Sequence, residues 1–102
     1  MKPFKIKIDE EAVTDIQEAT KWYNEQVPGL GLRFKKQVKK QINSLKTNPK
    51  SYGKRYSDVR CVLINKFPFL IHFKINETKN TVEIFAILHT SRNPKIWEER
   101  KK

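Results

Sequence analysis

The sequence predicts an α+β domain of order β-α-α-β-β-β, with a helical hairpin packed on one face of an antiparallel sheet. Three observations predict it. Phe4, Ile6 and Ile8 alternate with Lys5 and Lys7, the period of two expected of a strand with one wet face. Two apolar stripes at helical spacing follow, separated only by Pro28-Gly29. Three alternating apolar runs between Val59 and Leu88, joined by short turns, then form a meander.

The first helix is expected from about residue 10 to 27. Asp9 stands where an N-cap belongs, and Glu10 and Glu11 fall in the first turn, where the helix dipole favours anions. Ala12, Val13, Ile16, Ala19, Tyr23 and Val27 mark the buried stripe, with Asp15, Glu18, Lys21 and Glu25 on the solvated side. Leu30, Phe34, Val38, Ile42 and Leu45 form the second stripe, which ends at Asn48-Pro49 because the residue before proline avoids the helical region. So short a joint implies an antiparallel hairpin. The exposed side of the second helix carries Lys35, Lys36, Lys39, Lys40 and Lys46. Like charges four apart cost a few tenths of a kcal/mol per pair, a cost that a nearby anion would offset.

Residues 49–57, which include Tyr52, Lys54, Arg55 and Tyr56, have turn chemistry without periodicity and are expected to form a basic loop. Val59, Cys61 and Leu63 alternate with Arg60, Val62 and Ile64, a strand apolar on both faces and therefore inside the sheet. After a turn at Lys66-Phe67-Pro68, Phe69, Ile71, Phe73 and Ile75 alternate with Leu70, His72 and Lys74. The last strand places Val82, Ile84, Ala86 and Leu88 on one face and Phe85 and Ile87 on the other. It delivers His89, Thr90, Ser91, Arg92 and Asn93 to the point where Pro94 forbids further pairing. Polar groups at the end of a rigid strand are well placed to meet a partner.

At 102 residues, one domain is expected. No apolar run approaches the roughly 20 residues that a bilayer crossing needs, and the start has no secretory-signal pattern, so cytoplasmic residence without a membrane partner is the expectation. Cys61 is the only cysteine and excludes an internal disulfide. The net charge of +11 is concentrated: residues 33–60 carry ten basic groups against Asp58 alone, whereas residues 1–32 carry four basic and six acidic groups. Such a field attracts RNA, DNA or an acidic protein. The helical pair and the meander are expected to lie together and present a cationic groove that an anionic protein can fill.

Cys61, His72 and His89 show no spacing typical of zinc sites, and there is no glycine-rich phosphate loop or nucleophile elbow, so no cofactor is expected. One acid–base set remains: Arg60, His89 and Arg92, with Tyr52 or Tyr56 from the basic loop. Metal-free RNA cleavage needs a base, an acid and a cation to stabilise charge on phosphorus, and these residue types supply them. The alternatives are structural. His89 can simply be hydrogen-bonded, Arg60 can pair with a carboxylate, Arg92 and Asn93 can organise a turn, and Trp22 and Trp97 can be packing anchors.

Several strings together resemble one family, the RelE/ParE toxins of bacterial type II toxin–antitoxin systems. They are Ala12-Val13-x-Asp15-Ile16 with Trp22-Tyr23, Gly29-Leu30-Gly31-x-x-Phe34, Asn48-Pro49, Val59-Arg60, Phe67-Pro68-Phe69 and His89-x-Ser91-Arg92-Asn93-Pro94-x-x-Trp97. The chain is similar in particular to the ParE-like branch, the plasmid stabilisation proteins. The resemblance implies a small toxin silenced by a cognate antitoxin, whose helical segment lies over the hydrophobic and basic surface. Lys35, Lys36, Lys39, Lys40, Lys46, Lys54, Arg55, Asn93 and Trp97 are the expected contacts to target or antitoxin.

The family divides on mechanism. RelE-like members cleave messenger RNA in the ribosome with an arginine on the middle meander strand and Arg, His or Tyr groups near the C-terminus; ParE-like members poison DNA gyrase. This middle strand begins Phe69-Leu70-Ile71, with an aromatic where the ribonuclease pattern places arginine, and no tyrosine follows Arg92. Gyrase inhibition is therefore the leading expectation. A metal-independent, ribosome-dependent endoribonuclease using His89, Arg92 and Arg60 is the alternative, and a non-toxic basic nucleic-acid-binding module is a third.

Overall fold

Residues 2–92 are described by the computed structural model. Strand β1 (Lys5–Ile8) leads directly into α1 (Glu10–Gln26), and Gly29, with φ of +88°, turns the chain into α2 (Leu30–Ser44). A short 3-10 turn (Pro49–Ser51) precedes β2 (Lys54–Tyr56), β3 (Val59–Leu63), β4 (Phe69–Asn76) and β5 (Thr81–His89). The five strands lie in the order β1-β5-β4-β3-β2. The α+β architecture and the meander follow the expectation, with two additions. β1 runs parallel to β5, which the long return through the helical hairpin permits, and all other pairings are antiparallel. The expected loop at 49–57 contains β2, whose three residues are too few to show a period; it turns back through Ser57, at φ of 48°, onto β3.

The helices cover one face of the sheet. Phe34, Val38, Ile42 and Leu45 of the second stripe meet Val62, Ile64, Ile71, Phe73, Val82 and Ile84 in the main core. The helices approach closely at Gly31, whose N–H donates to Asn24 Oδ1 at 2.8 Å. A Cβ there would fall 2.3 Å from the Thr20 carbonyl oxygen. Tyr23, Phe34, Phe67 and Phe69 form an aromatic cluster, with most ring centroids 5.1 to 5.3 Å apart, that ties the hairpin to the β3–β4 turn. Val59, Leu70, Phe85, Ala86 and Leu88 make a second cluster on the other face of the sheet.

Three local expectations are corrected. Asp15 is buried, not solvated; its Oδ2 accepts the Ile87 N–H at 2.9 Å. β1 stops pairing at Ile84, so beyond it β5 has no strand neighbour on that side among the described residues, and a carboxylate on α1 takes up the Ile87 amide at this edge. Val13 and Val27, assigned to the buried stripe, are exposed because they lie at its margin and at the helix end. The face assignment along β5 changes at a bulge. Phe73 pairs with Ile84 and His72 with Ala86, leaving Phe85 as the extra residue. Val82, Ile84 and Ile87 thus face the helices while Phe85, Ala86 and Leu88 face away, which strict alternation cannot produce.

Candidate functional site

The bulge determines where His89 points. As the last residue of β5 it pairs with Phe69, and its ring stands edge-on to Phe69 at 5.3 Å. The turn beyond it is well tied: Thr90 N–H donates to the Pro68 carbonyl and Arg92 N–H to the His89 carbonyl. Ser91 N–H donates to His89 Nδ1 at 3.1 Å, and Ser91 Oγ lies 2.8 Å from the same atom. A backbone N–H can only donate, so Nδ1 holds its lone pair there and the neutral ring carries its proton on Nε2.

His89 and Arg92 line a cavity of about 190 Å³ between α1 and the free edge of β5, together with Asp15, Glu18, Ala19, Phe69, Ile87 and Leu88. His89 and Arg92 are thus brought to one cavity. Glu18 and Asp15, which sequence reading left on a solvated face, form its acidic wall. Their spacing of three along α1 was the available signal.

Arg60 does not join them. It lies opposite Phe73, four residues along β4 from the Phe69 that pairs with His89, roughly 13 Å along the strand and two strands away. Its guanidinium donates to the Tyr52 carbonyl at 2.6 Å and reaches the Lys50 carbonyl at 3.5 Å, so it braces the 3-10 turn. Of the Arg60–His89–Arg92 set, Arg60 therefore stands apart, held by main-chain carbonyls. Lys50 pairs with Glu77 at 2.5 Å; that hydrogen bond and the Lys50 charge hold the Glu77 carboxyl below its usual range, with smaller effects from Arg60 and Lys54.

Tyr52 packs against the main core, edge-on to Phe73, and Tyr56 lies on the far face, its hydroxyl 3.1 Å from His72 Nδ1. Neither tyrosine lines the His89 cavity. Cys61 sits across the β3–β4 ladder from fully buried His72, with Sγ 3.3 Å from Nδ1. Burial pushes the Cys61 thiol up to about 11, against a smaller opposing pull from Arg55. It is therefore a poor nucleophile at neutral pH. The trio was hidden in the sequence because it depends on hairpin register. Among the described residues, no cluster of three or more His, Cys, Asp or Glu could hold a metal ion.

The basic residues divide between two places. Lys35, Lys36, Lys39, Lys40 and Lys46 are all exposed on or just beyond α2. Between the helical hairpin and the β3–β4 turn of the meander lies a cleft of about 340 Å³ lined by Tyr23, Leu30, Arg33, Gln37, Lys66, Phe67 and Pro68, which none of these five lysines lines. A second groove, of about 490 Å³, lies between α2 and β1, lined by Ile6, Ile8, Ile42, Asn43, Lys39 and Lys46. Lys54 and Arg55 are on β2, at the opposite edge of the sheet. Asn93 and Trp97 lie outside the described residues. No described helix is long and apolar enough to cross a membrane.

The family model for the ParE toxin of type II toxin–antitoxin systems, parDE, matches residues 6–94. The chain belongs to this family. The match begins within β1 and runs through both helices and strands β2 to β5, including the His89–Arg92 turn. Among solved structures, the chain is similar to a chain of the chromosomal ParDE toxin–antitoxin system from P. aeruginosa, at 19% identity over 84% of this chain and 95% of that one, with a TM-score of 0.74. A free, doubly substituted E. coli RelE toxin is 15% identical over 99% of this chain and 96% of that one, with a TM-score of 0.72. A chain of the intact E. coli RelBE toxin–antitoxin complex is 15% identical over 87% of this chain and 99% of that one, with a TM-score of 0.67. At such identities these likenesses concern the fold. No match was found among curated proteins. This ParE-family chain thus shares its fold with both ParE-type and RelE-type proteins.

Proposed function

We propose that this protein is the toxin of a type II toxin–antitoxin pair, silenced in the cytoplasm by an acidic cognate antitoxin, and that it acts by binding DNA gyrase. The observation that carries the choice of target is the dispersal of the acid–base set. Arg60 is engaged with main-chain carbonyls far from His89, and Phe69 occupies the position beside His89 where phosphoryl transfer would call for a cation. Loss of one transition-state cation can cost two to three orders of magnitude in rate. The match to the ParE family supports the same reading. In it, Arg92, Asn93 and Trp97 meet the target, the α2 lysines meet the antitoxin, and the protein stabilises the plasmid or locus that encodes the pair.

Purified protein should inhibit supercoiling by gyrase and raise the level of gyrase–DNA cleavage complexes. Unchanged supercoiling and cleavage at excess protein would reject gyrase as the target. One arrangement favours a second reading: His89, its Nδ1 held by Ser91, lines an open cavity with Arg92. As a ribosome-dependent endoribonuclease, the protein would halt translation before replication, and His89→Ala would abolish messenger cleavage while leaving antitoxin affinity intact. Pulse labelling of DNA and protein synthesis after induction separates the two readings.

A further inference from the structure

The cleft between the helical hairpin and the β3–β4 turn joins an apolar wall to a charged one. Leu30, Phe67 and Pro68 supply the apolar side, and Phe67 is fixed edge-on to Phe34 and Tyr23, with ring centroids 5.2 and 5.1 Å away. Arg33, from the first turn of α2, and Lys66, from the β3–β4 turn, each bring a positive charge. The turn that carries Lys66 is closed by hydrogen bonds from Phe67 N–H to the Ile64 carbonyl and from Ile64 N–H to the Phe69 carbonyl, so that wall is preformed. No acidic side chain lines the cleft, and none stands in the first turn of α2, whose positive dipole end adds to the field. Among the described residues, the side chains of Arg33, Gln37 and Lys66 make no hydrogen bond or ion pair. Tyr23 is the decisive group. It is only 9% exposed and packs among Phe34, Phe67 and Phe69, yet its hydroxyl has no hydrogen-bond partner among the described residues and is not enclosed. A phenol so placed is satisfied only by what enters the cleft it lines. Burial pushes the Tyr23 phenol above its ordinary value, so at neutral pH it is a donor.

We infer that this cleft binds one nucleoside monophosphate, its phosphate between Arg33 and Lys66 and its base against Phe67 and Pro68. Two cations without an acidic neighbour match a phosphate monoester, which carries about −1.5 to −2 charge at pH 7, better than a singly charged carboxylate or internal phosphodiester. The planar fork of Arg33 takes two phosphate oxygens, and Lys66 acts as a point charge on the third. The Tyr23 hydroxyl donates to a phosphate or sugar oxygen, and the Gln37 amide, with both a donor and an acceptor, meets the polar edge of the base. At about 340 Å³ the cleft lies at the small end of the range for small-molecule sites, which suits a single nucleotide. That nucleotide is either free or the phosphorylated end of a single strand; the monoester is the chemistry common to both. The cleft shares no lining residue with the His89 cavity, so the inference is independent of whether gyrase or messenger is the target.

The test is an NMR titration of the full-length protein with adenosine monophosphate, against adenosine, inorganic phosphate and phenyl phosphate as comparison ligands. It is run at roughly 150 mM salt, where exposed charges more than about 8 Å apart are largely screened. Adenosine monophosphate should bind at least tenfold more tightly than any of the three, with amide shifts concentrated at Leu30, Arg33, Gln37, Lys66 and Phe67. Arg33→Gln and Lys66→Gln should each weaken binding at least fivefold. Tyr23→Phe keeps the ring packing, and should weaken binding at least threefold with an unchanged melting temperature. Lys39→Gln/Lys46→Gln, in the other groove, should leave binding unchanged. Should Tyr23→Phe melt early, the exposed Arg33 and Lys66 make the same test on an undisturbed core.

Equal binding of adenosine monophosphate and inorganic phosphate would leave only charge attraction and overturn the site, as would amide shifts spread along the α2 lysines. Phenyl phosphate bound as tightly as the nucleotide would overturn the nucleotide as its class. Undiminished binding by Arg33→Gln or Lys66→Gln would overturn the assigned phosphate position. A trinucleotide of RNA, with and without a 5′-phosphate, separates the two sources. If the phosphorylated form binds as tightly as adenosine monophosphate and the hydroxyl form does not, the site takes a strand end; if neither does, it takes the free nucleotide. Equal and tight binding of both trinucleotides would move recognition to internal diesters and overturn the monoester.

Discussion

Asp15 shows how much one side chain can decide. Its carboxylate accepts the Ile87 N–H where β5 has lost its β1 neighbour. Asp15→Ala leaves that amide unsatisfied and should cost about 1–3 kcal/mol in urea unfolding, whereas Asp15→Asn, which keeps an acceptor, should cost clearly less. Gly31 is restricted by space: its absent Cβ leaves room for the Thr20 carbonyl and Asn24. Gly31→Ala should destabilise by about 1–3 kcal/mol, read from the same unfolding curves, because backbone on the facing helix must move. Cys61 gives a pH signature. Its folded pKa of about 11 lies above the unfolded value of roughly 8.5, so folding favours the neutral thiol. That stabilisation is whole below roughly pH 8.5 and is lost as pH rises through about 11. Between these limits the urea midpoint should fall more steeply for the native chain than for Cys61→Ala.

Among the elements, β5 connects scaffold to site. Its bulge at Phe85 lets Ile84 and Ile87 both face the helices and turns His89 onto Phe69. Deleting Phe85 removes the extra residue and leaves a regular ladder in which Ile84 still pairs with Phe73, Ala86 with His72 and His89 with Phe69. The deletion variant should keep the His89–Phe69 contact, seen as retained ring-current shifts on the His89 protons, but should unfold at lower urea because the far-face cluster loses the Phe85 ring. The hairpin depends equally on the aromatic cluster around fully buried Phe34. Its replacement by alanine should cost about 3–5 kcal/mol. The stripe that places Phe34 in the core was legible in the sequence, because helical spacing registers each buried residue of a long helix. The bulge was not, since one inserted residue leaves composition and average periodicity unchanged.

For the whole molecule, many of the basic groups among the described residues stand at two opposite edges of the sheet, α2 with β1 on one side and β2 on the other. A polyanion can reach either edge without touching the His89 cavity. Nonspecific binding to a duplex and to a single-stranded RNA of equal charge should therefore be comparable at low salt, and should fall steeply between roughly 50 and 200 mM salt in filter binding. Retention of tight RNA binding at the higher salt would indicate specific recognition and favour the ribonuclease reading.

The sequence by itself determined the two helices, the meander, the position of His89 and Arg92 at the end of the last strand, and the resemblance that placed the chain among the RelE/ParE toxins. These features rest on local periodicity, turn chemistry and short strings, all written along the chain. The tertiary structure alone decided that β1 lies parallel to β5, that Asp15 is buried, that Arg60 braces a loop away from His89, and that Lys39 and Lys46 line a groove along β1. Those outcomes depend on register and on contacts between residues far apart in sequence, where one slipped position or one carbonyl within reach of a guanidinium changes which groups meet.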